Sequence, residues 1–316
     1  VILMDIIQTD KLTRTFPGVT AMDHLTLSVK EGELFGLVGP DGAGKTTTLR
    51  LLTTILNPTS GSAWVAGHHT VRDAEAIKKQ IGYMSQSFGL YPDLTVLENI
   101  RFYADLYSVP RKIREAKMED LLQFAGLEPF RRRLAGNLSG GMKQKLGLVC
   151  TLIHTPRILF LDEPTNGVDP VSRRSFWHIL ENLIRQKVTV FLSTAYMDEA
   201  QRCHRLGLMH GGRLVAVGSP NQVRKMLPLT LLEIRPGRAR QATEILRRSM
   251  GRQAVMQFGD RIHVITDQPA GTSATIQSLL KQAEIEPGEI KQVRPGLEDV
   301  FISMLGGSNR EASHDA

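Results

Sequence analysis

Gly39-Pro40-Asp41-Gly42-Ala43-Gly44-Lys45-Thr46 is the stretch on which the reading of this chain turns. It fits G-x-x-x-x-G-K-[ST] in the context that gives the pattern a mechanism. An apolar run at residues 33–38 reads as a strand before it, and Leu49, Leu52 and Leu56 recur at helical spacing over residues 45–56 behind it. A chain of this length shows the pattern by chance on the order of 0.01 times. Without side chains at Gly42 and Gly44 the backbone can curl so that successive N–H groups face inward as an anion nest, reinforced by the positive end of the next helix. Gly39, Asp41, Gly42, Ala43, Gly44, Lys45, Thr46 and Thr47 are the candidate phosphate-binding set. Lys45 is placed to reach the β- and γ-phosphates of a nucleotide, and Thr46 to hold Mg²⁺ through its hydroxyl. A glycine-rich turn with an exposed lysine is the plainer alternative, and the strand-loop-helix context argues against it.

Further along, Ile158-Leu159-Phe160-Leu161-Asp162-Glu163 is an apolar strand ending in two carboxylates, where a doubly wound sheet places its ligand crevice. Asp162 suits a Mg²⁺ ligand, direct or through water, and Glu163 suits the base that polarises an attacking water. Alone, an acidic strand end is most simply solvated; beside a phosphate loop it reads as catalytic. Leu138-Ser139-Gly140-Gly141-Met142-Lys143-Gln144 adds a Ser-Gly-Gly turn opening a helix, a second anion site on the same chain. In isolation that turn would be only a helix cap.

Taken in order, the phosphate loop, Gln86, Leu-Ser-Gly-Gly, Leu-Asp-Glu-Pro and Gly-Val-Asp-Pro resemble the ATP-binding cassette of ABC transporters across residues 5–227. The resemblance implies an α/β P-loop NTPase fold with a β-rich opening, a RecA-like core and a helical signature subdomain, and it implies ATP and Mg²⁺ as cofactors. In such cassettes two protomers sandwich two ATP molecules, each held by the phosphate loop of one and the signature turn of the other. A second cassette is then part of the site. On that basis Ser139, Gly140 and Gly141 would contact the γ-phosphate of the opposite site, and Asp169 would signal between the two. Phe16 would stack on adenine, although it is also readable as a core aromatic at a strand end. Gln86 would sense Mg²⁺ and a membrane partner, so the catalytic candidates are Lys45, Gln86 and Glu163 and the metal candidates Thr46, Gln86 and Asp162. Met142 stands where the signature often ends in glutamine.

Ser193-Thr194-Ala195-Tyr196-Met197-Asp198-Glu199-Ala200 resembles the family's switch segment but carries Ala195 where the family has histidine. That imidazole hydrogen-bonds the γ-phosphate and positions the water and Glu163, whereas a methyl group offers no donor. Loss of one transition-state donor is expected to lower turnover at this chain's own site by about 10² to 10³ while binding survives. Ala195 is either a natural degeneracy paired with an intact cassette or a substitution introduced to trap the ATP-bound state. Some exporters pair a cassette lacking this histidine with a complete one, sometimes in tandem within one chain.

Residues 7–13, 25–29 and 33–38 read as opening strands. Residues 91–153 read as mostly helical, with Thr95-Val96-Leu97-Glu98 as a capping box, inside a helical subdomain of about 87–156. The apolar runs 158–161 and 188–192 flank a helical 171–186, as buried parallel strands joined by a crossover helix do. Strands at 205–209 and 213–217 and a short helix to Leu227 would complete a first domain, 1–227, before Pro228. From 229 to 294 the order is βαββαβ, that of a small α+β ferredoxin-like module placed at 228–305, and 306–316 reads as a disordered tail. The module ends in Arg294-Pro295-Gly296-Leu297-Glu298-Asp299-Val300-Phe301, which resembles the ending of cassettes serving drug, lipid and polysaccharide exporters. Leu297, Val300 and Phe301 also read as a helix start packed into the module, a compatible assignment.

The 316 residues are 41% apolar and 22% charged, which excludes collagen-like, disordered and coiled-coil classes. A net charge of +7 suits nucleotides, nucleic acid or an anionic membrane surface without choosing among them. Arg131-Arg132-Arg133 has no interleaved aromatics, so no nucleic acid partner is expected. His24, His68, His69, His154, His204 and His210 are scattered without metal spacing. Cys150 and Cys203 show no CxxC, consistent with a reducing compartment. Val1-Ile2-Leu3-Met4-Asp5 does not open a secretory signal, and the apolar runs fall far short of the about 18 residues of a membrane span. The expectation is a peripheral ATPase subunit on the cytoplasmic face of the cell (inner) membrane, driving a separate integral membrane permease of an exporter. The alternative is an ATP-gated regulatory or assembly subunit with little hydrolysis. A cassette acting on ribosomes or DNA is disfavoured by the single cassette and the exporter-like ending.

Overall fold

The computed structural model describes residues 5–87, 89–226 and 230–311, with side chains through Leu305. Two compact units divide the chain, Val1–Val217 and Gly218–Ala316.

In the first unit, β1 (Asp5–Phe16) and β2 (Val19–Lys30) form a long antiparallel hairpin turning at Pro17 and Gly18, the latter at φ +79°. Both strands outrun the apolar stretches at 7–13 and 25–29, because ladder pairing continues to Phe16 opposite Val19. β3 (Leu34–Val38) leads through the glycine loop into α1 (Lys45–Leu52). That helix stops before the expected Leu56: the Thr53 hydroxyl bonds the Leu49 carbonyl, and Thr54 turns the chain at φ +64°. β4 (Ser60–Val65) and β5 (His68–His69) complete an antiparallel sheet in the order β2-β1-β4-β5.

After α2 (Ala74–Lys78) and β6 (Ile81–Met84) come the helices α3 (Val96–Leu106), α4 (Arg111–Ala125) and α5 (Gly140–Leu152). Thr95 opens α3 with a full capping box to Glu98, as the sequence indicates. The chain then alternates through β7 (Ile158–Asp162), α6 (Pro170–Arg185), β8 (Thr189–Thr194), α7 (Met197–Ala200), β9 (Arg205–His210) and β10 (Arg213–Gly218). The second sheet has the order β10-β9-β3-β8-β7-β6, parallel from β9 through β6. Every residue of β3, β7 and β8 is buried, which is why they read as unbroken apolar runs. One face packs Phe35, Phe160 and Phe191 against α1 and the first sheet; the other packs Leu159, Leu161 and Leu192 against the helices around Phe176 and Trp177. β8 lies between β3 and β7, with Thr194 opposite Val38 and Ser193 opposite Asp162. The glycine loop, the two carboxylates and the switch segment therefore leave the sheet at one edge.

The second unit holds α8 (Pro220–Lys225), β11 (Leu231–Ile234), α9 (Ala239–Met250), β12 (Val255–Phe258), β13 (Arg261–Ile265), α10 (Pro269–Gln282), β14 (Ile290–Val293) and α11 (Leu297–Glu311). Its antiparallel sheet has the order β12-β13-β11-β14, the ferredoxin-like arrangement. α8 packs on α11, so the helix assigned from sequence to the first domain belongs with the second unit. The boundary moves from 227/228 to Val217/Gly218; Pro228 lies outside the described residues. α11 starts on buried Leu297, Val300 and Phe301 and continues to Glu311, past the expected tail start at Gly306, as helix propagation from a packed first turn allows. Residues 312–316 lie outside the described residues.

Candidate functional site

The glycine loop joins the end of β3 to α1 through Gly42 at φ +79° and Gly44 at φ +103°, left-handed conformations that favour glycine. Gly44 is also wedged in place, since an added Cβ would overlap the Ala21 carbonyl; at Gly39 it would overlap that of Met209. No side chain caps α1, so its first N–H groups have no side-chain acceptor. Lys45 folds back over the loop, only 4% exposed. Its Nζ donates to the carbonyls of Gly39 (2.8 Å) and Pro40 (3.0 Å) and lies 3.0 Å from Glu163 Oε1 and 4.0 Å from Asp41 Oδ1.

Thr46 Oγ1 donates to Asp162 Oδ1 at 3.0 Å, and Ser193 Oγ donates to the same oxygen at 2.7 Å. Asp162 is buried, and its Oδ2 has no hydrogen-bond partner among the described residues. A desolvated carboxylate oxygen left unpaired beside a threonine hydroxyl fits a hard divalent cation that takes oxygen ligands and keeps several waters. Among the described residues no cluster of His, Cys, Asp and Glu forms a separate metal cage. Burial pushes the phenol of Tyr83 on β6 up to about 12, with the Asp162 charge adding to the effect.

Glu163 sits at φ +48°, and its backbone N–H donates to Ser193 Oγ at 3.0 Å. Its Oε2 accepts from Gln86 Nε2 (3.1 Å) and Asn166 Nδ2 (3.3 Å), while Oε1 faces Lys45. The carboxylate is thus gripped by groups from the β7–α6 connection, the β6–α3 connection and the end of the glycine loop. A cavity of about 110 Å³ opens on it, lined by Asp41, Glu163, Thr165, Asn166, Thr194, Ala195 and Tyr196. Ala195 is part of that lining, and the Tyr196 hydroxyl donates to Asn166 Oδ1 at 3.3 Å.

The structure does not bring every candidate to this cavity. Ser139 caps α5, its Oγ accepting from Met142 N at 3.3 Å; Gly140 has open space around it; and Gly141 lies against Ser172 of α6. Asp169 caps α6, with Oδ1 accepting from Val171 N (3.0 Å) and Ser172 N (2.9 Å), and hydrogen bonds from Ser172 hold its carboxyl below the usual carboxylate range. Ser172 therefore touches both the signature turn and Asp169. Phe16 ends β1 half-buried under the Arg14 guanidinium, 4.6 Å from its ring centre. Sequence reasoning missed Asn166, Tyr83 and the roles of Ser193 and Tyr196. Ser193 could be found only through the β7–β8 register, which sets it opposite Asp162.

An anion nest, an orphaned carboxylate oxygen beside a hydroxyl, and a gripped carboxylate facing a small cavity can together hold phosphates, hold a hard cation and take a proton from water. The family model described as "ABC transporter" matches residues 22–166. The chain is 41% identical over 314 residues to the probable multidrug ABC transporter ATP-binding protein YbhF of Escherichia coli (strain K12), covering 98% of this chain and 53% of that protein. It thus spans about half the length of that relative. It is 32% identical over 310 residues to the daunorubicin/doxorubicin resistance ATP-binding protein DrrA of Streptomyces peucetius, covering 95% of this chain and 92% of DrrA. Among solved structures it resembles a dimeric post-hydrolysis state of the ATP-binding cassette MJ0796 bound to ADP and Pi, at 25% identity and a TM-score of 0.62, over 67% of this chain and 98% of that one. At 32% identity with near-complete coverage of both chains, the likeness to the Streptomyces protein establishes that this chain belongs to the ATP-binding proteins of the ABC transporter family.

Proposed function

We propose that this chain is the ATP-binding subunit of an ABC exporter, in which a pair of cassettes uses ATP binding and Mg²⁺-dependent hydrolysis to drive a separate membrane permease. The observation that carries the reading is the buried, unpaired Oδ2 of Asp162, whose other oxygen is bonded by Thr46 at the mouth of the glycine loop. The loop from Gly39 to Thr47 wraps the phosphates, and Thr46 and Asp162, with Gln86 nearby, hold Mg²⁺. Bound there, Mg²⁺ supplies charge neutralisation at the phosphates. Moving Lys45 from Glu163 to a phosphate frees Glu163 Oε1 to accept a proton from water, while Gln86 and Asn166 keep Oε2 in place.

Open space at Gly140 beside the Ser139 cap suits a phosphate presented by a second cassette, with Asp169 linked to that turn through Ser172. Phe16 is assigned to adenine. Among the described residues no helix is long and apolar enough to cross a membrane. Export is supported by the functions named for YbhF and DrrA, multidrug transport and drug resistance. The subunit would then work at the cytoplasmic face of the membrane, without nucleic acid.

Ala195, a lining residue with no hydrogen-bonding side chain, favours reduced turnover at this chain's own site, and with it a second reading as an ATP-gated regulatory or assembly subunit. The test is MgATP binding and steady-state hydrolysis by the parent chain, Ala195→His and Glu163→Gln. Binding by all three with a gain of about 10²-fold only for Ala195→His supports the switch-impaired ATPase. A parent already as fast as Ala195→His defeats that model, and failure of all three to bind MgATP defeats the reading altogether.

A further inference from the structure

Glu199 of α7 is 1% exposed, and a carboxylate this deep is sustained only by donors. Its Oε1 accepts from the Thr165 hydroxyl and from the Trp177 indole N–H at 3.3 Å, and Arg173 Nε lies 3.7 Å away, too far for a hydrogen bond. Its Oε2 accepts from the Thr194 hydroxyl at 2.6 Å. Thr165 stands two residues beyond Glu163 at the end of β7, and Thr194 directly precedes Ala195 at the end of β8; both line the cavity. One carboxylate therefore ties together the two segments that carry the candidate base and the switch position, and anchors both to α6 through Trp177.

The ties continue around the cavity. Thr194 Oγ1 accepts from the Tyr196 N–H at 3.0 Å, so the backbone at Ala195 is framed on both sides. Tyr196 donates to Asn166, whose amide donates to Glu163, and the Arg173 guanidinium covers the Tyr196 ring at 4.3 Å. A carboxylate that only filled the core would have no reason to select hydroxyls from these two segments; an apolar side chain would fill the same space without desolvating a charge.

We infer that Glu199 is a positioning residue: it fixes the spacing between the Glu163 segment and the backbone of residue 195, so that the cavity is held ready for an imidazole that this chain lacks. The inference rests on the functional reading above. It assigns the defect of the site to one missing side chain on an intact frame.

The test compares the full-length parent chain, Ala195→His, and Ala195→His combined in turn with Glu199→Gln, Thr165→Val or Thr165→Ser. The readouts are ATP affinity, kcat, KM and, without nucleotide, amide hydrogen exchange at residues 164–168 and 194–198. Ala195→His is expected to raise kcat about 10²-fold. Adding Glu199→Gln is expected to remove about tenfold or more of that gain with KM and ATP affinity little changed, and to speed exchange in both segments. Thr165→Val leaves the carboxylate its other donors and is expected to reproduce the loss in milder form, while Thr165→Ser keeps the hydroxyl and the rate. If the Glu199→Gln and Thr165→Val combinations match Ala195→His in kcat and in exchange, the inference is overturned and the functional reading stands. Ala195→His that binds ATP without any gain also overturns it, since a site held ready would respond. A parent that fails to bind MgATP overturns the functional reading instead, and the exchange data still decide whether Glu199 ties the two segments.

Discussion

Lys45 Nζ and Glu163 Oε1 lie 3.0 Å apart with both side chains almost wholly buried, so the loop's cation and the candidate base neutralise each other across the mouth of the glycine loop. A phosphate entering the loop competes with Glu163 for the ammonium, and the outcome sets whether Glu163 is free to act.

In the Ala195→His background, Glu163→Gln is therefore expected to act on binding and turnover in opposite directions. The neutral amide competes less well for Lys45, so ATP affinity rises several-fold, while loss of the base lowers turnover by about 10² to 10⁴. Nucleotide titration beside steady-state hydrolysis checks both; a parallel fall in affinity would show that the pair does not compete with phosphate.

Asp162→Asn should uncouple nucleotide binding from Mg²⁺. Chelation of the metal is expected to weaken ATP binding to the parent by on the order of tenfold or more, and Asp162→Asn to bind with that weaker affinity whether or not Mg²⁺ is present. Titrations with Mg²⁺ and with EDTA read this directly. A variant that keeps the full Mg²⁺ effect places the ion elsewhere.

The two glycines of the signature turn should separate by readout. Alanine at Gly141 would overlap Ser172 Cβ and Oγ, an overpacking expected to cost about 1–3 kcal/mol in thermal unfolding. Alanine at Gly140 meets nothing within 4 Å among the described residues, so stability should hold and any loss should appear only in hydrolysis by the paired cassettes. Equal melting losses for both would contradict the packing at this turn.

The second unit carries a pH dependence of its own. His263 Nδ1 bonds Asp299 Oδ1 at 2.7 Å and its Nε2 faces Glu233 Oε2 at 3.2 Å; Arg235 and Arg261 also reach Glu233, and the Phe258 ring lies 5.1 Å from the imidazole. The bond to Asp299 raises His263 above its usual 6.5 despite burial, with Glu233 adding to it. For Glu233, burial would raise the carboxyl, but hydrogen bonds from His263 and Arg235 outweigh it and hold the group below 4.5. A raised histidine stabilises fully below its unfolded value and loses that contribution as pH climbs through the folded one. A lowered glutamate stabilises above its unfolded value and loses it as pH falls through the folded one. The contribution of this cluster should peak between pH 4.5 and 6.5 and fade above 6.5. Thermal unfolding of the full chain across pH, beside His263→Gln, should show the melting difference shrinking on the alkaline side; a difference that grows there would reverse the sign.

Much of this was legible in the sequence because the informative residues lie close together along the chain. The capping box at Thr95 and Glu98 sits within one helical turn, and β7 and β8 announce themselves as short apolar runs because both faces are buried. Local pattern and long-range packing part company at two helices. α8 looks like the close of the first domain until its packing on α11 assigns it to the second unit, and α1 looks longer than it is until Thr53 and Thr54 turn the chain.

Local spacing alone determined the pieces of the chemistry, the glycine loop, the Ser139 turn, and Asp162 and Glu163 at a strand end, while the missing imidazole at Ala195 is visible only through the family resemblance. Which side chains meet was decided only by tertiary structure. Thr46 and Asp162 are 116 residues apart and Ser193 and Asp162 are 31 apart, yet all three share one carboxylate oxygen because β3, β8 and β7 run parallel in a fixed register. Glu199 reads in the sequence as one more acid on a short helix, and becomes the tie between two segments only when β7 and β8 bring Thr165 and Thr194 to its two oxygens. Register across a sheet sums backbone hydrogen bonds and core packing over the whole domain, and no local stretch of sequence contains that sum.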